Sequence, residues 1–185
     1  MSLADASAER LRAIARASIE HGVKHGSPLP VDPAQEPPEL GAERAAFVTL
    51  HLHGTLRGCI GSLEAHRPLA EEVAGQAFAA AFEDPRFSPV TPDEAGQLAI
   101  HISILTPPEP LPCRDESDLL NQLRPGRDGL ILQDGHRRAT FLPSVWDELP
   151  APRQFLDHLK RKAGLPAQYW KNTLRFWRYE AESVG

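Results

Sequence analysis

The sequence predicts an α+β protein with a mainly antiparallel sheet, flanking helices and pairs of strands joined by tight turns. Two segments, residues 44–63 and 125–143, alternate apolar and polar residues on either side of turn residues, which is typical of β-hairpins. Helical patterns lie between them without the regular strand–helix–strand order of a parallel sheet. The 185 residues, 41% of them hydrophobic, are enough for one domain, or one domain with a small second lobe, that needs neither a disulfide nor a metal to be stable.

The N-terminal part predicts one helix followed by a loop. Residues 4–24 place apolar or small residues on one stripe with i, i+3, i+4 spacing, and Gly22 and Gly26 supply the stop. The next segment, residues 27–41, contains prolines that remove amide donors and prevent a helix. The stripe residues are Leu11, Ile14, Ala15, Ser18 and Ile19.

The first hairpin and the helix after it follow directly. Val48, Leu50 and Leu52 alternate with polar or aromatic residues, and His53-Gly54 marks the turn. Pro68 then suits the first turn of a helix through "RPLAEEVAGQAFAAAFED". Its predicted buried side consists of Leu69, Val73, Ala77 and Ala80.

The C-terminal half predicts strands and short helices in turn. Residues 98–105 alternate strictly as a strand, and a short helix spans about residues 116–123. The second hairpin has its tip at residues 133–136. Two helices follow, "SVWDEL" with Ser144 as N-cap and "APRQFLDHLKRKAG" ending at Gly164. Residues 173–184 close the chain as one predicted strand.

Charge and cysteine content limit the classes of function. A formal net charge of −5 argues against general nucleic-acid binding, although RNA contact through the basic stretches "RQFLDHLKRK" and "WKNTLRFWR" is an alternative. The N-terminus lacks the apolar core of a signal peptide, and no apolar run is long enough to span a bilayer. Two cysteines, Cys59 and Cys113, form no secreted framework, so we expect a cytoplasmic protein; a disulfide between them stays open.

The stretch "TLRGCIGSLE" carries the first candidate site. In an extended strand Arg57, Cys59 and Gly61 share one face, and a guanidinium beside a thiol favours the thiolate. Gly61, without a side chain, would leave open space beside the sulfur. This predicts a reactive or ligand-contacting thiol with Arg57 as an anion clamp. The alternative is that Cys59 is a small buried hydrophobe and that the glycines mark a bulge or a crossing point.

Other polar groups give weaker signals. Asp84 and Arg86 in "FEDPRFSP" predict either an ion pair that fixes the loop or part of a pocket beside the cysteine hairpin. His51 and His53 form an H-x-H pattern and His101 lies on another strand, but a metal site needs three or four ligands, so no metal is predicted. A histidine adjacent to Cys59 would form a thiol–base pair. Neither G-x-x-x-x-G-K-[ST] nor G-x-G-x-x-G occurs.

Several segments together resemble the AMMECR family, whose bacterial and archaeal members are called AmmeMemoRadiSam system protein A. These segments run in order from about residue 45 to 182, and R-G-C-I-G is the family's hallmark. They are "GTLRGCIGSLE", "RPLAEEVA", "AAFEDPRFSPVTPDE", "ISILTPPEPL", "PGRDGLIL", "RRATFLPSVW" and "KRKAGLP". We therefore expect a single AMMECR-like domain over residues 1–185, with a helix at about 1–26, a proline-rich loop at 27–44 and a core at 45–182.

The resemblance implies a fold in two unequal lobes and an association with Memo-like and radical SAM proteins, but no reaction and no cofactor. Many relatives read L-C-x-K-A-G-L where this chain has Lys160 in place of the cysteine, so a catalytic disulfide is not expected. The catalytic residues it suggests are Cys59, Arg57, Asp84 and Arg86. The suggested binding residues are Gly58, Ile60, Gly61, Glu83, Arg138, Thr140 and Lys162.

Two functions follow as hypotheses. The first is an enzyme or enzyme subunit acting on a small-molecule or peptide substrate in a cleft between the lobes, with Cys59 as nucleophile or ligand contact. The second is a non-catalytic protein that docks a Memo-like or radical SAM partner.

Overall fold

The protein is described by a computed structural model that covers residues 3–185. Its strands form two four-stranded antiparallel sheets, so the predicted α+β class is confirmed. The chain divides into two unequal compact units. The first unit comprises the residues up to Pro107 together with Glu182–Gly185, and the second comprises Pro108–Ala181. That both units belong to one domain of 185 residues stays a prediction.

The helices and strands of the first unit place two long helices beside one sheet. The helices are α1 (Asp5–His25), α2 (Leu69–Phe82) and α3 (Pro92–Ala95), and the strands are β1 (Ala46–Leu52), β2 (Thr55–Gly61), β3 (Leu98–Leu105) and β8 (Ala181–Val184). The strand order is β2-β1-β3-β8, which makes β2 an edge strand. Every predicted stripe residue of α1 and α2 is buried, because these faces and the inner face of β1 and β3 share one core.

The first hairpin turns where the sequence predicts it, with His53 and Gly54 at φ 50° and 81°. Its second strand departs from the predicted alternation. A bulge leaves Arg57 without a partner, because Gly58 lies opposite Leu50 while Leu56 lies opposite His51. Strict alternation along the strand predicts Leu56, Gly58 and Ile60 on the same face, but Leu56 is 37% exposed and does not share the inner face with the other two, so this prediction is wrong.

The second unit has its own four-stranded sheet and two shorter helices. Its strands are β4 (Glu109–Pro110), β5 (Gly129–Asp134), β6 (Arg137–Phe141) and β7 (Arg175–Tyr179), in the order β4-β7-β5-β6. Its helices are α4 (Glu116–Gln122) and α5 (Pro152–Lys162). The Trp146 and Phe155 rings stack with centroids 3.8 Å apart inside a core that includes Leu130, Leu132 and Leu159.

Two predictions about local structure are wrong. The closing segment forms two strands, β7 and β8, in different sheets. The chain leaves the sheet of the second unit after β7, and β8 joins the sheet of the first unit. Ser144 is not an N-cap, since the short 3-10 helix Pro143–Asp147 already begins at the proline before it. The proline-rich segment after α2 contains α3, whose start is fixed by a capping box between Thr91 and Glu94.

Candidate functional site

Cys59 lies on the outer face of the first unit's sheet, near the centre of edge strand β2. It pairs with Thr49 of β1, and the Thr49 hydroxyl lies 3.2 Å from the Cys59 sulfur, so the two groups share a hydrogen bond. The residue is half-buried, and the thiol is free. The sulfur therefore contacts a hydroxyl and is not fully enclosed.

Gly58, the glycine before Cys59, allows close packing of β2 against α2. It is buried on the inner face of β2, and a Cβ there would overlap the carbonyl oxygen of Ala80 and lie 3.0 Å from its carbonyl carbon. The backbone of α2 thus packs directly against the backbone of the strand, which only glycine permits. Ile60, also on the inner face, lies opposite Val48 and packs against the same core.

Gly61 does not leave open space beside the sulfur, and that expectation is wrong. It pairs with Phe47, and the Phe47 ring occupies the position that a side chain on Gly61 would take. The glycine therefore makes room for an aromatic ring of the neighbouring strand.

Arg57 directs its guanidinium away along the strand edge. Its Nε and Nη2 donate to the two carboxylate oxygens of Glu94 (3.1 and 2.9 Å), and Nη1 donates to the Ser88 carbonyl (2.8 Å). Nη2 also lies 3.3 Å from the Pro89 carbonyl oxygen. These bonds hold the pKa of Glu94 at about 2, well below its usual range, with help from the Thr91 amide. Arg57 thus anchors β2 to the start of α3.

Asp84 and Arg86 form an ion pair that caps the free edge of β2 at Cys59. The Asp84 side chain, 2% exposed, accepts hydrogen bonds from Nε (3.0 Å) and Nη2 (2.7 Å) of Arg86. Asp84 also accepts from the Cys59 amide (2.9 Å), and Arg86 Nη2 reaches the Cys59 carbonyl (3.4 Å). The pair fixes the loop, as one alternative predicts, and it binds the backbone of the cysteine; a pocket lined by the two residues stays a prediction.

Each charge of the Asp84–Arg86 pair stabilises the ionised form of the other residue. The hydrogen bond from Arg86 lowers the pKa of Asp84 far below its usual range, although burial opposes this. The pKa of Arg86 is raised, chiefly by its hydrogen bond to Asp84 and also by the charge of that carboxylate, although burial opposes this. The Arg86 guanidinium, 55% exposed, is therefore a permanent cation beside the backbone of Cys59. Glu83, also predicted for this site, is the exposed residue that caps the C-terminus of α2.

Three predicted binding residues lie in the second unit. The Thr140 hydroxyl donates to the Leu130 carbonyl (3.0 Å) and contacts the Tyr179 hydroxyl (2.9 Å). Lys162 donates to the Thr140 carbonyl (3.0 Å), and its ammonium lies 5.2 Å from the centroid of the Phe141 ring. Arg138 pairs with Gln133 in the β5–β6 hairpin. Burial raises the pKa of Tyr179 to about 12.

Lys160 is a buried lysine in α5. Its ammonium donates to Glu116 (2.6 Å) and to the Ala167 carbonyl (2.8 Å), and burial lowers its pKa. This position supplies an ion pair to the second unit's core.

His101 lies opposite Thr49 on the side away from Cys59, so cysteine, threonine and histidine occupy one row across three strands. Within residues 3–185, no group of three or more His, Cys, Asp and Glu side chains could hold a metal ion. In the same described part of the chain, no helix is long and apolar enough to cross a membrane.

Two residues of this site were missed by sequence reasoning. Thr49 contacts the sulfur only because of the register of β1 against β2, which the sequence does not reveal. Glu94 could have been found from the sequence, since Thr91-Pro92-Asp93-Glu94 has the spacing of a capping box before an apolar segment.

The fold and the site define a two-sheet α+β protein with a strand-borne cysteine held by an aspartate–arginine pair. The chain belongs to the AMMECR1 family, whose sequence model matches residues 12–184. A protein of Thermotoga maritima is 40% identical over 167 residues, covering 89% of this chain and 90% of its own. A protein of Methanothermobacter thermautotrophicus is 38% identical over 175 residues, covering 91% and 88%. The crystal structure of the uncharacterized protein PH0010 from Pyrococcus horikoshii has a TM-score of 0.89 and 34% identity, covering 99% of this chain and 93% of its own.

The Arg57–Glu94 pair predicts a specific acid sensitivity. Because the folded pKa of Glu94 is about 2 and its usual value is 4.5, its contribution to stability is complete above about pH 4.5 and is lost as the pH falls towards 2. We expect the urea midpoint of Glu94→Gln to lie below that of the wild type at pH 7, and the gap between the two to narrow below pH 4.5 and to be nearly closed at about pH 2. Asp93→Asn, an exposed neighbour with the same change in charge, is the control and should follow the wild type. A constant gap between wild type and Glu94→Gln across this range would contradict the assignment.

Proposed function

We propose that this protein is an enzyme or enzyme subunit that uses the Cys59 thiol as a nucleophile on the outer face of its first sheet. The observation that carries the proposal is the capping of Cys59 by the Asp84–Arg86 pair. Both backbone polar groups of Cys59 are bound by this pair, and the sulfur, half-buried, is bound by a hydroxyl. A structural cysteine buried among aliphatic groups needs none of these contacts.

The arrangement supports nucleophilic chemistry at sulfur. A thiolate is the reactive form of cysteine, and a nearby guanidinium stabilises it. In the proposed step, the Cys59 sulfur uses an electron pair to form a bond to an electrophilic carbon of the substrate. The displaced electron pair moves to a carbonyl oxygen or departs with a leaving group, and the thiol proton goes to solvent. Thr49 orients the sulfur, Arg86 supplies the positive charge, and Asp84 and Arg57 hold the backbone on either side.

The proposed partners are a Memo-like protein and a radical SAM protein, in the cytoplasm. The two free cysteines agree with a reducing compartment. A second candidate function is docking to these partners without catalysis, and Leu56 favours it. This leucine, three residues before Cys59, is exposed on the outer side of the same hairpin. Co-purification with the partners together with an inert Cys59 would support docking over catalysis.

Alkylation of the two cysteines tests the thiol. We expect iodoacetamide at pH 7 to modify Cys59 at least about tenfold faster than Cys113, because burial and the nearby Asp118 and Asp115 raise the pKa of Cys113. Peptide mass spectrometry over time gives both rates in one sample, so each cysteine is the control for the other. Equal rates, or faster modification of Cys113, would refute a nucleophilic role for Cys59.

A further inference from the structure

The guanidinium of Arg86 has donors that no described residue uses. Its Nε and Nη2 are bound by Asp84, and Nη2 also reaches the Cys59 carbonyl, whereas Nη1 makes no hydrogen bond within the described part of the chain. Its Cζ lies 5.4 Å from the centroid of the Phe87 ring, a further contact that limits its movement. One end of the guanidinium is thus fixed and the other end, with two N–H groups, is open.

The other arginine of the site lacks this property. Arg57 uses Nε, Nη1 and Nη2 in hydrogen bonds to Glu94 and two carbonyls, and its side chain is only 12% exposed. The sequence predicts Arg57 as the anion clamp, but all three nitrogens of its guanidinium are already hydrogen-bonded. Arg86, which has a nitrogen that no described residue binds, is therefore the better candidate.

The carboxylate of Asp84 does not neutralise the positive charge that Arg86 presents to solvent. Asp84 is 2% exposed, behind the strand edge, while Arg86 is 55% exposed. An anion approaching from outside therefore meets the cation first, and the attraction is greatest at short range.

We propose that Nη1 of Arg86 binds a carboxylate of the molecule that Cys59 attacks, so that the substrate is a small electrophile carrying a carboxylate. This inference rests on the proposed function for the nature of the reaction, but the anion site can be tested without it. A planar guanidinium is the usual protein group for carboxylates, and its support by a buried aspartate fixes it before binding.

Iodoacetate and iodoacetamide separate the two questions. Both alkylate the sulfur in the same way: an S–C bond forms, the C–I bond breaks, and iodide leaves with the electron pair. Only iodoacetate carries a carboxylate. The iodoacetamide rate reports the reactivity of the thiol, and the ratio of the iodoacetate rate to the iodoacetamide rate reports anion binding. We expect Arg86→Gln to lower this ratio about fivefold, and Arg86→Lys to lower it less.

A matched control exists in the same unit. Arg67 is 45% exposed and pairs with Glu72, whose side chain is 3% exposed, so Arg67→Gln breaks an equivalent pair with the same change in net charge. Arg67→Gln should leave the ratio unchanged. The double variant Asp84→Asn/Arg86→Gln removes both charges; a ratio that stays low supports binding by Arg86. A double variant with the wild-type ratio, or an unchanged ratio in Arg86→Gln, overturns the proposal.

A second measurement does not require a reactive thiol. Titration with propionate, followed by the backbone amide NMR shifts of Cys59 and Arg86, should saturate in the wild type and not in Arg86→Gln, and propionamide should have no effect. If Cys59 is inert to both iodo reagents but propionate saturates, the nucleophile fails while the anion site stands. If the thiol reacts and propionate causes no saturable shift, the anion site fails alone.

Discussion

Gly58→Ala is expected to lower the free energy of unfolding by at least about 3 kcal/mol, because the new Cβ would overlap backbone atoms of α2. If the overlapping atoms belonged to a side chain, they could rotate away. The Ala80 carbonyl is part of the backbone of α2 and cannot move without disturbing the helix. For a chain of this length, a loss of that size lowers the melting temperature by about 6–12 °C. Thermal unfolding followed by far-UV circular dichroism measures it.

Gly96→Ala is the control for this prediction. Gly96 has φ −72°, which any residue adopts, and a Cβ there meets nothing within 4 Å. Its stability should change by less than about 0.5 kcal/mol. If Gly58→Ala and Gly96→Ala have the same melting temperature, β2 and α2 do not pack by direct backbone contact. The position of Cys59 is then not fixed by α2.

Much of the fold could be predicted because its signals are local. The stripe of α1, the alternation of β3 and the His53-Gly54 turn each depend on residues within one element, and each matches the structure. The division of residues 173–184 between two sheets could not be predicted. Both parts favour an extended backbone, and only tertiary pairing decides which sheet each one joins.

The candidate site shows the same limit more sharply. The sequence places Arg57 two residues before Cys59, which predicts a shared face, but the bulge and Glu94 turn the guanidinium elsewhere. Arg86 is 27 residues away along the chain and lies against the Cys59 carbonyl. Charge in this site is therefore set by a loop contact between distant segments, which spacing within one strand cannot reveal.

Asp84→Ala is expected to destabilise the protein by about 3 kcal/mol at pH 7. The substitution removes the acceptor of the Cys59 amide, the Arg86 amide and two guanidinium nitrogens, and the part-buried donors left without a partner account for most of the loss. Urea unfolding measures the change. Glu83→Ala, the preceding carboxylate, is the control and should cost less than about 1 kcal/mol, because Glu83 ends α2 with its backbone amide and not with its side chain.

The pH dependence identifies the cause of this loss. Since the pKa of Asp84 is lowered in the folded state, its contribution is complete above its usual pKa and declines as the pH falls below it. The difference between the wild type and Asp84→Ala should therefore narrow between pH 4 and pH 2. Amide hydrogen exchange at Cys59 should accelerate in Asp84→Ala even where the global stability is matched with denaturant, because the aspartate is the acceptor of that amide. A large loss of stability with unchanged exchange at Cys59 would show that Asp84 supports only its own loop, and the cysteine would lose the contact that distinguishes it from a structural thiol.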